Sequence, residues 1–515
     1  MTGGIIQLVA YGNQDVFLTS EPQITFFKVV YRRHTNFSIE VIPRTFINNP
    51  QFGNKVACIL SRDGDLIRKV HLAIELPKIG PFLDATQELD PITKFAWVRK
   101  IGFAIINTIQ IEIGDELIDE QYGDYLNIWY ELTVPYNKNI NKMIGNVEKL
   151  TSYTNGKDAY LLFIPLQFWF NRITGLALPI VSLQYNHIRF NLQLNELSKC
   201  YKLAPTNCIN VQNALVNFKQ FEYISQTIDN VTSYAQYIYF DILTKKLYYT
   251  RVSPQPFVSP STTQIQSQSQ SQSQSQSQFT IIGLTSKFET VPATGTTERV
   301  YSNPLINFNS VTIPNAFLLI EYIFLDDEER IRFAQARHEY LIEQLFSTFQ
   351  ETINGLQQSY KVGFTQPCKE LIWVAQMTTN INNNDTFNYT KNVIRNFDGS
   401  LMNGPIILNE SILFNGHERI TFRNSSYFTW VQPYQYHRNN AKEGIHVYSF
   451  AIHPESHQVS GTVNFSRVDN VAIKINVIPE ISTTNTAKLR IYGIMYNVLR
   501  IANGVSGLVF AIDYK

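Results

Sequence analysis

Little in this chain is charged. Of its 515 residues, 17% are Asp, Glu, Lys or Arg, and 43 basic side chains face 42 acidic ones, for a formal net charge of +1. That balance excludes a strong overall field toward nucleic acid or anionic lipid, though not a local basic patch. Cysteine is scarce as well. Cys58, Cys200, Cys208 and Cys368 form no CxxC pair, which excludes a disulfide-stapled secreted scaffold and predicts buried free thiols in a reducing compartment. A Cys200–Cys208 bridge stays open at this level. Long apolar runs are missing: AFLLIEYIFL, Ala316–Leu325, is about ten residues and contains Glu321, against the ~20 of a membrane span. The opening MTGGIIQLVAYGNQD has no basic n-region. The expectation is a soluble chain made in the cytosol.

Catalytic motifs are also lacking. The sequence has no P-loop, GxSxG, HExxH or GxGxxG. None of its nine histidines forms His-x-His, and His453 and His457 lie in an irregular HPESH broken by Pro454, which disfavours a cupin-type metal site. The expected site therefore holds no catalytic, cofactor-binding or metal-ligating residue, and no cofactor. N-x-Ser/Thr sequons occur at Asn36, Asn230, Asn384, Asn388, Asn409, Asn424 and Asn464. Asn384, Asn388 and Asn424 are carried forward as candidate, unplaced glycosylation positions.

What the chain does have is the vocabulary of packed β-structure, with 44% apolar and 13% aromatic residues. Short β-rich runs alternate with turn signals. QITFFKVVYRR (Gln23–Arg33) reads as a strand, and the basic KVVYRRHT within it as a strand with one wet face rather than a nucleic-acid contact. Asp63-Gly64 reads as a tight hairpin turn between VACIL (Val56–Leu60) and VHLAI (Val70–Ile74). Helical patterns are few. The clearest is Asp326–Phe346, whose acidic first turn (Asp326, Asp327, Glu328, Glu329) precedes Arg330, Arg332 and Arg337, an order that complements the helix dipole. The same order explains the carboxylate cluster without catalysis.

The chain also repeats itself. Tyr160–Leu194 and Val447–Val477 share an outline: a strand, an irregular segment, a small-residue stretch, a second strand. Related blocks precede and follow each in the same order. Two copies of one β domain are predicted, joined near the Asp326–Phe346 helix. Where the second copy has the short link Ile478–Ala487, the first has an insertion of roughly 120 residues, about 195–315. It contains a Pro/Ser-rich run and the tract QIQSQSQSQSQSQSQ, residues 264–278.

These blocks resemble a known family. GGIIQLVAYGNQDVFLTSEPQITFFKVVYRRHTNFSIE (Gly3–Glu40), FGNKVACILSRDGDLI (Phe52–Ile67), IPLQFWFNRITGLALPIVSLQY (Ile164–Tyr185), YIFLDDEERIRFAQARHEYLIEQ (Tyr322–Gln344), SGTVNFSRVDN (Ser460–Asn470) and YNVLRIANGVSGLVF (Tyr496–Phe510) are similar, in collinear order, to the major capsid proteins of nucleocytoplasmic large DNA viruses. The region 195–315 departs from the pattern. The resemblance implies an all-β double jelly-roll, two tandem eight-stranded antiparallel sandwiches with a few short helices. It also implies an N-terminal arm (1–22), a first jelly roll (23–335, carrying the insertion with its Ser-Gln tract 266–278) and a second (336–515).

The implied function is a structural major capsid protein of a large icosahedral double-stranded DNA virus. It would homotrimerise into pseudo-hexagonal capsomers that tile the outer shell. Implied partners are itself, neighbouring capsomers, minor capsid proteins, a penton protein and an internal viral membrane on the inner side. No specific nucleic-acid binding and no enzymatic activity are expected, and the place is the virion, after synthesis and assembly in host cytoplasm. The alternative is a carbohydrate- or receptor-binding β-sandwich virion protein. If the insertion joins the sixth and seventh strands, the tract belongs at the outward end of the capsomer, tolerant of length change.

Overall fold

The computed structural model describes residues 2–253, 255–260, 279–303, 306–394, 401–441 and 444–511. The first sandwich is built from β1 (Phe37–Thr45), β2 (Lys55–Ile59), β3 (Leu66–Leu76), β4 (Ile106–Ile113), β5 (Glu116–Tyr122), β6 (Tyr160–Pro165) and β7 (Ile188–Leu194). The insertion then adds β8 (Asn207–Asn210), β9 (Tyr223–Ile228), β10 (Val231–Asp241), β11 (Lys246–Arg251), β12 (Ile281–Gly283), β13 (Glu289–Thr290) and β14 (Arg299–Val300). The first sandwich closes with β15 (Ala316–Leu325). The second runs β16 (His338–Ser347), β17 (Gln357–Val362), β18 (Pro367–Met377), β19 (Ile407–Phe414), β20 (His417–Asn424), β21 (Ile445–Ser449), β22 (Val471–Val477) and β23 (Ala487–Ala502).

The sheet orders are β1-β15-β3-β6 facing β2-β7-β4-β5 in the first sandwich, and β16-β23-β18-β21 facing β17-β22-β19-β20 in the second. Each sandwich is a jelly roll, and the two repeat one topology: two copies of one β domain, as the sequence repeat predicts, forming the double jelly-roll that the resemblance implies. Each encloses its own core, one around Leu72, Ile109, Phe168 and Phe190, the other around Phe346, Trp373, Phe428 and Ile473. Strand direction alternates along the chain in both, so the 3–4, 5–6 and 7–8 connections of a sandwich gather at one end.

Four local expectations fail, each for a tertiary reason. Residues 20–36 form no strand and stay exposed, and pairing begins only at β1, against β15. High β-propensity does not make a strand where no neighbour supplies a ladder. Asp63-Gly64 is no hairpin turn, because β2 and β3 belong to opposite sheets. Gly64 is needed instead for close approach, since a Cβ there would sit 2.8 Å from Tyr322 Cβ. The helix covers only Asp327–Gln335, capped by Asp326 accepting from the Asp327 amide. His338–Ser347 is a strand paired along all its length with β23; its Leu and Ile spacing suits either element, and the sheet edge decides.

The fourth concerns the insertion, which joins the seventh and eighth strands, not the sixth and seventh. Glu116–Tyr122 (β5) adds a strand before it, although its ELIDEQY is acidic and poor in β-branched residues. The insertion forms a sheet ordered β13-β12-β9-β10-β11-β8-β14 over a separate core of Ile209, Phe218, Ile224, Leu247, Tyr249 and Phe257. The Ser-Gln tract lies outside the described residues, but its two flanks are held. Buried Gln226 donates through Nε2 to Val258 O (2.8 Å) and Phe279 O (2.7 Å), and accepts from the Val258 amide (2.8 Å).

Candidate functional site

The two sandwiches meet over a buried face. The Gly123–Thr133 helix of the first lays Tyr125, Ile128, Trp129 and Leu132 against Ile372, Val374, Val447, Tyr492 and Ile494 of the second. Each fully buried large side chain contributes ~1.5–3 kcal/mol, so this face is a fixed joint. Polar groups lock its register. Arg172 Nη1 donates to Glu343 Oε2 at 2.9 Å, its Nη2 donates to Tyr125 Oη at 3.1 Å, and its guanidinium lies 3.9 Å from the Trp129 ring. Lys369 Nζ donates to the other Glu343 oxygen at 2.5 Å. Nearby, the Leu345 amide donates to Asp119 Oδ1 at 2.9 Å, and burial pushes the Asp119 carboxyl up to about 7 despite that bond. Arg490 of the second sandwich pairs with Asp124 of the first.

A second buried acid spans the two sheets of the second sandwich. Glu410 on β19 accepts from Trp373 Nε1 (2.7 Å) and sits 2.7 Å from His446 Nδ1, both on the opposite sheet. Near it, His437 is held between Glu370 and Glu455. Burial alone would lower His437, but the two carboxylates raise it to about 9. Sequence reasoning named none of these groups, since partners such as Arg172 and Glu343 lie 171 residues apart and no local motif announces them.

The outer surface is uncovered in one place above all. Along residues 3–31 no side chain is buried, and Leu8, Phe17, Phe26, Phe27 and Val29 are each more than 80% exposed. So long an apolar arm on a lone chain marks a surface made to be covered by something else. Trp430 and Tyr434, 58% and 77% exposed, form a smaller apolar spot on the second sandwich.

The sequon asparagines differ in setting. Asn384 donates through Nδ2 to Ser198 O (2.6 Å) and Tyr201 O (2.7 Å), tying the second sandwich to the segment after β7. Asn388 is buried and donates to Asp385. Asn424 is exposed, and its Oδ1 accepts from the Ser426 amide at 3.0 Å. All four cysteines are free, so Cys200 and Cys208 are not bridged. Among the described residues, no three His, Cys, Asp or Glu side chains are grouped to hold a metal ion.

Comparison with known proteins places this architecture. Residues 25–241 match the family model for the major capsid protein N-terminus, and residues 329–507 match that for the large eukaryotic DNA virus major capsid protein. The chain belongs to this capsid protein family. Its relatives include "Probable capsid protein 4" of Acanthamoeba polyphaga mimivirus, 39% identical over 514 residues covering 99% of both chains. The major capsid protein of Phaeocystis pouchetii virus is 32% identical over 616 residues, covering 99% of this chain and 100% of the relative. Among solved structures, the Faustovirus major capsid protein superposes with a TM-score of 0.66 at 12% identity, covering 96% of this chain and 94% of that one. The PBCV-1 capsid model gives a TM-score of 0.61 at 24% identity, covering 95% and 100%. This capsid protein is thus a structural component of the virion shell and not an enzyme.

Proposed function

We propose that this capsid protein homotrimerises into a pseudo-hexagonal capsomer that tiles the outer shell of a large icosahedral double-stranded DNA virus. The supporting observation is the joint at Arg172 and Glu343. It fuses two sandwiches of one topology into a rigid two-lobed unit, and three such units present six lobes. We divide the chain as an arm (1–22), a first jelly roll with its insertion (23–335) and a second (336–515). The apolar arm is the segment covered on assembly, on the inner side, against neighbouring subunits, minor capsid proteins or the internal membrane. The insertion and its Ser-Gln tract face outward. Penton protein and adjacent capsomers complete the partners, nucleic acid is not among them, and assembly takes place in host cytoplasm. Of the three candidate positions Asn384, Asn388 and Asn424, Asn424 is the one whose exposure suits a glycan, whereas sugar on Asn384 or Asn388 would break the bonds just described.

Light scattering with negative-stain imaging of the purified protein tests this. Trimers of hexagonal outline are the expected result, and a stable monomer at every concentration would refute the capsomer.

A further inference from the structure

The 3–4 and 5–6 connections of the first jelly roll, the insertion, and the 3–4 and 7–8 connections of the second converge on a cleft of about 1070 Å³. This is at the upper end of the size of ligand-binding pockets, ~300–1,000 Å³. No sequence motif pointed to it. Strand alternation in the insertion sheet builds one wall. Ile224, Gln226 and Ala235 face the insertion's own core, so Tyr223, Tyr234 and Gln236 face the other way, into the cleft. Tyr223 lies opposite Gln236, and Gln236 opposite Thr250, giving a cross-strand row of one ring, one amide and one hydroxyl. Tyr153 comes in from the first jelly roll, with one ring face stacked on Phe221 at 6.1 Å. The far wall is the Thr378–Lys391 segment of the second jelly roll, where Asn382 and Asn383 are exposed.

Most of the charges around the cleft are paired. Arg99 Nη2 and Lys202 Nζ both reach Asp385 Oδ1, at 3.2 and 3.1 Å. Arg251 makes two bonds to Glu298, at 3.1 and 2.7 Å, and Lys391 is paired with Glu480. Arg99 and Lys202 share one carboxylate, which leaves a single excess positive charge in the lining, and the sulfated saccharides below test whether it takes an anion. Burial, and after it the Asp385 carboxylate, pushes the phenols of Tyr153 and Tyr223 up, so both remain hydroxyl donors at any physiological pH. Phenol rings offer flat apolar faces, and amides offer a donor and an acceptor side by side. Together they match a ring with one C–H face and a rim of vicinal hydroxyls.

From this ring-and-amide lining we propose that the cleft binds a neutral oligosaccharide. The site exists only when the insertion is folded across both jelly rolls, and it is independent of the trimer proposed above.

Saturation-transfer NMR on the full-length protein with neutral tetrasaccharides of glucose, mannose and N-acetylglucosamine provides the test, alongside their sulfated counterparts. At least one neutral saccharide should bind with a Kd below ~1 mM. The double variant Tyr153→Phe/Tyr223→Phe, which keeps both rings and removes only the hydroxyls, should weaken it ~10-fold or more. Tyr434→Ala, an exposed aromatic outside the cleft, should leave binding unchanged, and unaltered thermal unfolding of the Phe variant shows that the fold is retained. Absence of binding by every neutral saccharide at about 5 mM, preference for the sulfated ones, or an equal effect of Tyr434→Ala would overturn the assignment.

Discussion

Arg172 of the first jelly roll and Glu343 of the second stand 2.9 Å apart, their side chains only 15% and 11% exposed. Glu343 also balances Lys369, whose side chain is 1% exposed. Removing the carboxylate in Glu343→Ala leaves two cations buried without their anion. The expected cost is about 3–5 kcal/mol, read as a lower denaturant midpoint. Replacing all three groups together, with Arg172→Met, Glu343→Leu and Lys369→Met, should cost far less, because no orphaned charge remains.

The same joint should respond to pH through Asp119. Its folded pKa, about 7, lies above the ~3.9 of an unfolded Asp. Between those values the native state keeps a proton that the unfolded chain has lost, so this group favours folding at the acid end and its contribution falls as pH rises through 7. Subtracting the stability curve of Asp119→Asn from that of the native protein should give a difference that declines from pH 4 to 7 and then levels.

His437 has the same sign in a higher window. Raised to about 9 by Glu370 and Glu455 against the loss imposed by burial, it contributes fully below ~6.5 and progressively less up to pH 9. The native-minus-His437→Gln difference in melting temperature should shrink across that interval. A difference that grew instead would mean that the histidine is neutral in the fold.

Gln226 closes the base of the Ser-Gln tract by bonding to both Val258 and Phe279. Gln226→Ala should therefore accelerate limited proteolysis at the flanks, 258–260 and 279–283, and lower stability by ~1–3 kcal/mol. Deleting Ser267–Gln278, by contrast, should leave trimer assembly intact when examined by negative stain.

The arm should behave in the opposite way. None of its side chains, nor any of those that follow it up to residue 31, is buried, so a chain starting at residue 32 should melt within the error of the native monomer. Yet it should fail to build ordered shells in an assembly assay, since the surfaces covered on assembly are gone. A large drop in melting temperature would instead assign the arm to the fold.

Much of the architecture could be read directly. The repeat of Tyr160–Leu194 in Val447–Val477 predicted two copies of one sandwich, because strand alternation and turn residues are local signals. Other features could not. Gln23–Arg33 has the composition of a strand and no partner, while β5 is a strand despite its acidic composition because β4 pairs with it. The Leu and Ile spacing of His338–Ser347 is equally good for a helix, and only the edge of β23 chooses.

The sequence by itself determined the β-rich class and the duplication, which rest on composition and on strand and turn signals repeated in the same order, while its resemblance to a family implied the double jelly-roll. Only the tertiary structure decided which runs become strands, that the insertion joins the seventh and eighth strands, and that Arg172, Glu343 and Lys369 share one buried site. It alone also brought Tyr153, Tyr223 and the 378–391 segment around one cleft. Those outcomes depend on contacts between residues tens to hundreds of positions apart. No local propensity encodes such pairings; burial and hydrogen-bond satisfaction select them once the sheets have formed.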